Sequence, residues 1–226
     1  FGDGQFILEN LDLQPERSHN INMELAVMNK RNHPVTWKIH GNAFLRKVNN
    51  LILFVPGTER TSIYQNVLNA NSAGIELAGT WAAAEKKDRV SINATYQHFY
   101  NNSKEGIFEP FYHDRIPNQP YFFANGSFSH SFQKVGGASG LLTPFVSVQY
   151  IHSFFRSWES AGLTAYKIKI PAQQLYNIGI TYKLPAGRQS WVVTAELQNL
   201  TNARNYDYYG VQKPGRAFYC KLSTQL

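Results

Sequence analysis

Polar and apolar residues alternate along most of this chain. Ile21, Met23, Leu25 and Val27 are interleaved with Asn20, Asn22 and Glu24, and further on Ala73, Ile75, Leu77 and Trp81 oppose Glu76 and Thr80. Near the end, Trp191, Val193, Ala195 and Leu197 oppose Thr194, Glu196 and Gln198, while Phe218, Cys220, Leu222 and Leu226 oppose Tyr219, Lys221, Ser223 and Gln225. A period of two puts successive side chains on opposite faces of an extended strand. The pattern predicts nine strands, at about 16–28, 35–55, 64–82, 89–100, 120–132, 141–155, 171–184, 190–200 and 214–226.

The chemistry of the polar face separates two architectures. A soluble sandwich buries its apolar faces against each other and turns charged residues outward. Here the polar faces carry mostly Ser, Thr, Asn and Gln, as in Ser91, Asn93, Thr95 and Gln97. Such a face suits the wet wall of a membrane barrel whose other face meets lipid. The connections follow the same logic. Short ones (29–34, 83–88, 133–140, 185–189) alternate with longer ones (56–63, 101–119, 156–170, 201–213), and 1–15 falls in another long connection. Short periplasmic turns and long outer loops alternate in outer-membrane barrels. The expected fold is therefore all-β, an antiparallel transmembrane β-barrel. Nine strands beginning at an outer loop make an odd number, where bacterial barrels use even ones, so the nine are expected to be the C-terminal strands of a larger barrel.

Composition is compatible with this. The 226 residues are 43% hydrophobic, their mean hydropathy is −0.36, and no run of apolar residues is long enough for a membrane-spanning helix. The 13 Tyr and 15 Phe suit the interfacial girdles of a barrel. The lone cysteine, Cys220, excludes an intrachain disulfide and falls on the apolar face of the last strand. The net charge of +7 is spread over Lys30 and Arg31, Arg46 and Lys47, Lys86, Lys87 and Arg89, and Lys167 and Lys169. A nucleic-acid binder would gather such charge in one patch, so no nucleic acid is expected, and solvated ends with contacts to anionic lipid headgroups are. The seven histidines lack metal-ligand spacing, and no catalytic motif is present, so neither an enzyme, a cofactor nor a metal site is expected.

Several segments carry a resemblance. Glu196-Leu-Gln-Asn-Leu-Thr-Asn202 is followed by a loop of Tyr and Asn and then by Pro214-Gly-Arg-Ala-Phe-Tyr219. Upstream stand Leu13-Gln-Pro-Glu-Arg-Ser18, Gly41-Asn-Ala-Phe-Leu-Arg-Lys-Val-Asn-Asn-Leu-Ile-Leu-Phe54, Asn71-Ser-Ala-Gly-Ile-Glu76 and Ile116-Pro-Asn-Gln-Pro120. Together, and in this order, they resemble the C-terminal part of the barrel domain of TonB-dependent outer-membrane receptors. The resemblance implies about 22 strands around a plug, with the plug and earlier strands outside residues 1–226. It implies binding of a scarce nutrient at the outer mouth, a ferric siderophore before haem, cobalamin or a glycan, and import with energy from the TonB complex through an N-terminal region. Outer-membrane lipid is the other expected partner. Members of the family usually end in an aromatic residue, whereas this chain ends in Leu226.

Two sets of residues are candidates for binding. Aromatics with a few directed polar groups suit a ligand-binding mouth, and two outer loops supply them: Phe108, Phe111, Tyr112, His113 and Arg115 in one, Tyr206, Tyr208 and Tyr209 in the other. The alternative for the same rings is packing of loop against loop. By parity, Glu24, Lys38, His40, Asn42, Arg46, Glu76 and Glu196 fall on the polar face, where the resemblance implies contacts to a plug. A structural or adhesive barrel without transport, and a soluble all-β binding module, stay open as other readings.

Overall fold

The computed structural model describes residues 7–29, 33–56, 62–83, 85, 87–136, 139–163, 167–187, 189–206 and 211–225. Lys30, Arg31, Lys86, Tyr208, Tyr209 and Leu226 lie outside the described residues. The strands are β1 (Ile7–Leu8), β2 (Arg17–Met28), β3 (Thr36–Pro56), β4 (Ser62–Ala83), β5 (Asp88–Asn101), β6 (Phe122–His130) and β7 (Phe132–Gln133). They continue with β8 (Leu141–Ile151), β9 (Phe154–Phe155), β10 (Lys169–Ile170), β11 (Gln173–Ala186), β12 (Gln189–Gln198) and β13 (Ala217–Gln225). The one helical element among the described residues is a 3-10 turn, Glu109–Phe111.

Nine long strands form one antiparallel meander in the order β13-β12-β11-β8-β6-β5-β4-β3-β2. Each corresponds to one expected from the alternation, with adjusted ends. The strand expected at 141–155 leaves the sheet after Ile151, because Phe154 and Phe155 pair instead with Ile170 and Lys169 in a separate two-stranded ladder. The one expected at 120–132 divides at Ser131, whose N–H donates to the Lys87 carbonyl. The first connection, expected as loop throughout, contributes β1, which pairs in parallel with β4.

Register carries the two faces across the whole sheet. One row runs Trp37, Trp81, Val90, Phe128, Val146, Ile178, Leu197 and Phe218 across eight strands, and every member is apolar. One residue further along each strand, on the opposite face, runs Lys38, Thr80, Ser91, Ser127, Ser147 and Asn177. The apolar face is uncovered: Met23 is 74% exposed, and Ile21, Leu25, Ile39, Leu45, Ile75, Leu77 and Ile92 each show more than half of their surface. A soluble module would bury such a face against a second sheet. No second sheet covers it among the described residues, so the surface is one that lipid must cover.

The buried apolar core lies elsewhere, at the outer end of the polar face. Val48, Leu51, Ala70, Phe108, Ile116 and Trp158 form it, with Leu53, Phe99, Phe111 and Ala161 packed alongside. Strict alternation from Val48 would turn Leu51 toward lipid. Asn50 prevents this: at φ 55 it is left-handed and resets the pleat, so that Leu51 joins Val48. Asparagine tolerates this conformation better than a branched residue. Its Nδ2 donates to Gln14 Oε1 at 3.3 Å, and its carbonyl accepts from Asn66 Nδ2 at 2.7 Å.

Candidate functional site

The polar face brings the predicted wall residues together. Glu24, Asn42 and Glu76 are successive cross-strand partners, and Asn42 Nδ2 donates to Glu76 Oε2 at 3.0 Å. His40 Nε2 lies 2.7 Å from Glu24 Oε1, and Arg46 Nη2 lies 3.2 Å from Glu16 Oε1. Lys38, two residues before His40, is on the same face of β3. Glu196, opposite Gly179 and Tyr219, accepts from Gln198 Nε2 at 3.3 Å. Neutral pairs fill the wall between them: Asn125 donates to Asn93 at 2.9 Å, Asn177 to Ser147 at 3.2 Å, and Thr181 and Thr194 are 3.1 Å apart. The result is a wet surface of donors and acceptors that are partly paired with one another and open to a further hydrogen-bonding surface.

Above this wall the connection between β5 and β6 folds into a platform. Asn101, fully buried, organises it: its Nδ2 donates to the carbonyls of Phe108 (2.7 Å) and Phe111 (3.0 Å), and its Oδ1 accepts from the Ser103 N–H (2.9 Å). Phe111 stacks on Trp158 at 4.9 Å with 4° between the planes, and Phe108 packs obliquely on the same indole at 5.8 Å. Asp114 Oδ2 accepts from the backbone N–H and the hydroxyl of Ser160, at 2.8 and 2.5 Å. The platform is therefore bolted to the loop after β8, and both close over Val48 and Ala70.

The predicted mouth residues among those described separate into four places. Phe108 is 4% exposed and belongs to the core under the platform. Phe111 is half-buried on the polar-face side, beside Trp158. Tyr112, His113 and Arg115 gather on the other side. Arg115 bridges to Tyr100, which shares its face of β5 with the lipid-side residues Ala94 and Tyr96. His113 meets Tyr100 edge-on at 5.6 Å and stacks with Tyr112 at 4.0 Å; Arg115 lies 4.1 Å over the Tyr121 ring and 3.8 Å from Glu159. Tyr206, in the last loop, donates its N–H to Gln173 Oε1 at 2.6 Å.

That last loop closes over a cavity of about 160 Å³ on the polar face, lined by Gln149, Gln173, Gln198, Asn205, Lys213 and Tyr219 among others. Asn199 staples the loop's start by exchanging two hydrogen bonds with the backbone of Ala203, at 2.8 and 2.9 Å. Asn101, Asn199, Trp158 and the Asp114–Ser160 pair are the residues that sequence reasoning passed over. The two asparagines had a signal, since each opens an Asn-x-Ser/Thr run. Buried here, they serve as loop staples. Among the described residues no three His, Cys, Asp or Glu side chains converge as for a metal ion.

The family described as TonB dependent receptor-like, beta-barrel matches residues 1–200. The chain belongs to this family. Comparison with the curated proteins finds no match. Among solved structures, the ferric preacinetobactin receptor BauA from Acinetobacter baumannii is similar at 16% identity and TM-score 0.66, over 91% of this chain and 29% of that one. The copper transporter OprC is similar at 15% identity and TM-score 0.70, over 93% and 31%. A mutant of the ferric enterobactin receptor PfeA from Pseudomonas aeruginosa gives 18% and 0.61, over 99% and 34%. The chain thus spans about a third of the length of these structures. As a TonB-dependent receptor barrel, it turns its apolar face to the lipid of a bacterial outer membrane and its polar face to the lumen.

Proposed function

We propose that this chain is the C-terminal part of the barrel of an outer-membrane receptor that takes up a scarce nutrient with TonB-coupled energy, a ferric siderophore being the foremost ligand class. The observation that carries this reading is the continuity between the hydrogen-bonding wall and the folded outer platform. A passive or adhesive barrel needs the wall alone, whereas a receptor needs a shaped mouth above it. Ligand binding falls to the lumen side of that mouth, with Phe111 and Tyr206 as ring surfaces; Tyr208 and Tyr209, outside the described residues, are proposed for the same role on their residue type and place in the sequence. Phe108 supports them from below, and Tyr112, His113 and Arg115 form the platform's outer rim. Glu24, Lys38, His40, Asn42, Arg46, Glu76 and Glu196 are assigned to contacts with a plug domain. The chemistry is recognition and transport, without a catalytic step.

The test is uptake of radioactive iron, supplied with enterobactin, a hydroxamate siderophore or citrate, by cells that carry or lack the gene. The expected result is severalfold greater accumulation of at least one chelate, abolished by a protonophore. Equal accumulation with every chelate, or accumulation indifferent to the protonophore, contradicts the reading.

A further inference from the structure

The lipid-side face changes chemistry abruptly toward the outer end of β2–β5. The row Met23, Ala43, Ile75, Tyr96 and Phe122 is apolar apart from one phenol. The next row outward, Ile21, Leu45, Ala73 and His98, is apolar except for its last member. The row beyond reads His19, Lys47, Asn71, Tyr100 and Arg115, with Arg17 above it on the same face of β2. Parity keeps these side chains on the side that faces lipid, not the lumen. Depth then decides what they meet. Lys47 follows Leu45 by two residues, about 6.6 Å along a strand and about 5 Å along the membrane normal at the usual tilt. The headgroup layer is roughly 5–8 Å thick on each side of the hydrocarbon, so the row stands within it.

We infer that this row is a docking surface for the phosphate-bearing headgroups of outer-leaflet lipid. Charge complementarity supports it. Arg17, His19 and Lys47 are exposed, and Arg17 and Lys47 enter no ion pair among the described residues. Arg115 lies 3.8 Å from Glu159 and 4.1 Å over the Tyr121 ring, so it closes the row as a partnered donor rather than as a free charge. Tyr100, whose hydroxyl is 3.4 Å from Asn71 Nδ2, supplies the amphipathic ring expected at an interface. The surface is continuous with the apolar band below it, so a lipid whose acyl chains lie on Leu45 and Ile75 carries its phosphate to Lys47 and Arg17.

The test extracts the protein from outer membranes in mild detergent and measures retained lipid A by mass spectrometry at rising salt. Wild-type protein is expected to retain lipid A at low salt and to lose it as salt screens the contact. Arg17→Gln combined with Lys47→Gln should retain severalfold less, Arg17→Lys combined with Lys47→Arg should retain as much as wild type, and the control Lys134→Gln with Lys221→Gln should be unchanged. Retention by wild type that ignores salt overturns the proposal without recourse to any variant. So does equal retention by the charge-removed variant, or an equal loss in the control.

Discussion

Asn101 shows how much of the outer platform depends on one side chain. Asn101→Ala strands two loop carbonyls and one N–H, each costing about 1–3 kcal/mol if left unpaired. The barrel wall does not depend on it. Limited trypsin digestion should therefore cut at Lys104 much faster in the variant while the strands persist; an unchanged rate would show that the platform has another anchor. Gly179 makes the opposite point, since the ring of Phe145 lies over it on the lumen face. A Cβ there would stand 2.3 Å from that ring and 2.8 Å from the Ala195 carbonyl oxygen. Gly179→Val should cost about 1–3 kcal/mol through overpacking, read as a lower urea midpoint in lipid vesicles. Little of this was legible in advance. Aromatic loop residues were visible as candidates, but a sequence does not say whether a ring faces a ligand or a tryptophan fifty residues away. Only the fold shows that Phe108 and Phe111 pack on Trp158 and that Arg115 bridges to Tyr100.

At the scale of the strand, far more could be read. Lipid on one side and water on the other impose alternation at every position between the interfaces, so the faces of β2, β4, β5, β11 and β12 follow from residue types alone. The rule stops where the membrane does. Beyond Lys47 the chain is free of it, and there Asn50 resets the pleat of β3, β8 ends at Ile151 and the β9–β10 ladder forms. Strand ends are thus set by loop packing, which no local pattern announces. The alternation itself is testable by asymmetry of cost. Ala43→Arg, in the middle of the lipid face, should lose about 2–4 kcal/mol of stability in vesicles, whereas Asn93→Arg on the lumen face should lose far less. Similar losses at both positions would contradict the assignment of faces.

The described strands form an open sheet. Among the described residues, β2 and β13 each have one long-strand partner, and their other edges are unpaired. An open edge beside an uncovered apolar band invites association, so the chain produced without further strands is expected to aggregate unless lipid or detergent covers it. A soluble monomer in size-exclusion chromatography without detergent would contradict that. The claim on which the wall, the lumen and the headgroup row all depend is that one face of this sheet meets lipid and the other meets water. Spin labels placed singly along β4 from Ala73 to Trp81, in a Cys220→Ser background and in outer-membrane preparations, test it directly by collision with oxygen and with a water-soluble nickel chelate. The expected result is a period of two, with oxygen favoured at Ala73, Ile75, Leu77, Gly79 and Trp81 and nickel favoured at Glu76, Ala78 and Thr80, Gly74 being left unlabelled because the Phe44 ring covers it. Equal access to nickel at every position, or a profile without that period, would contradict the account.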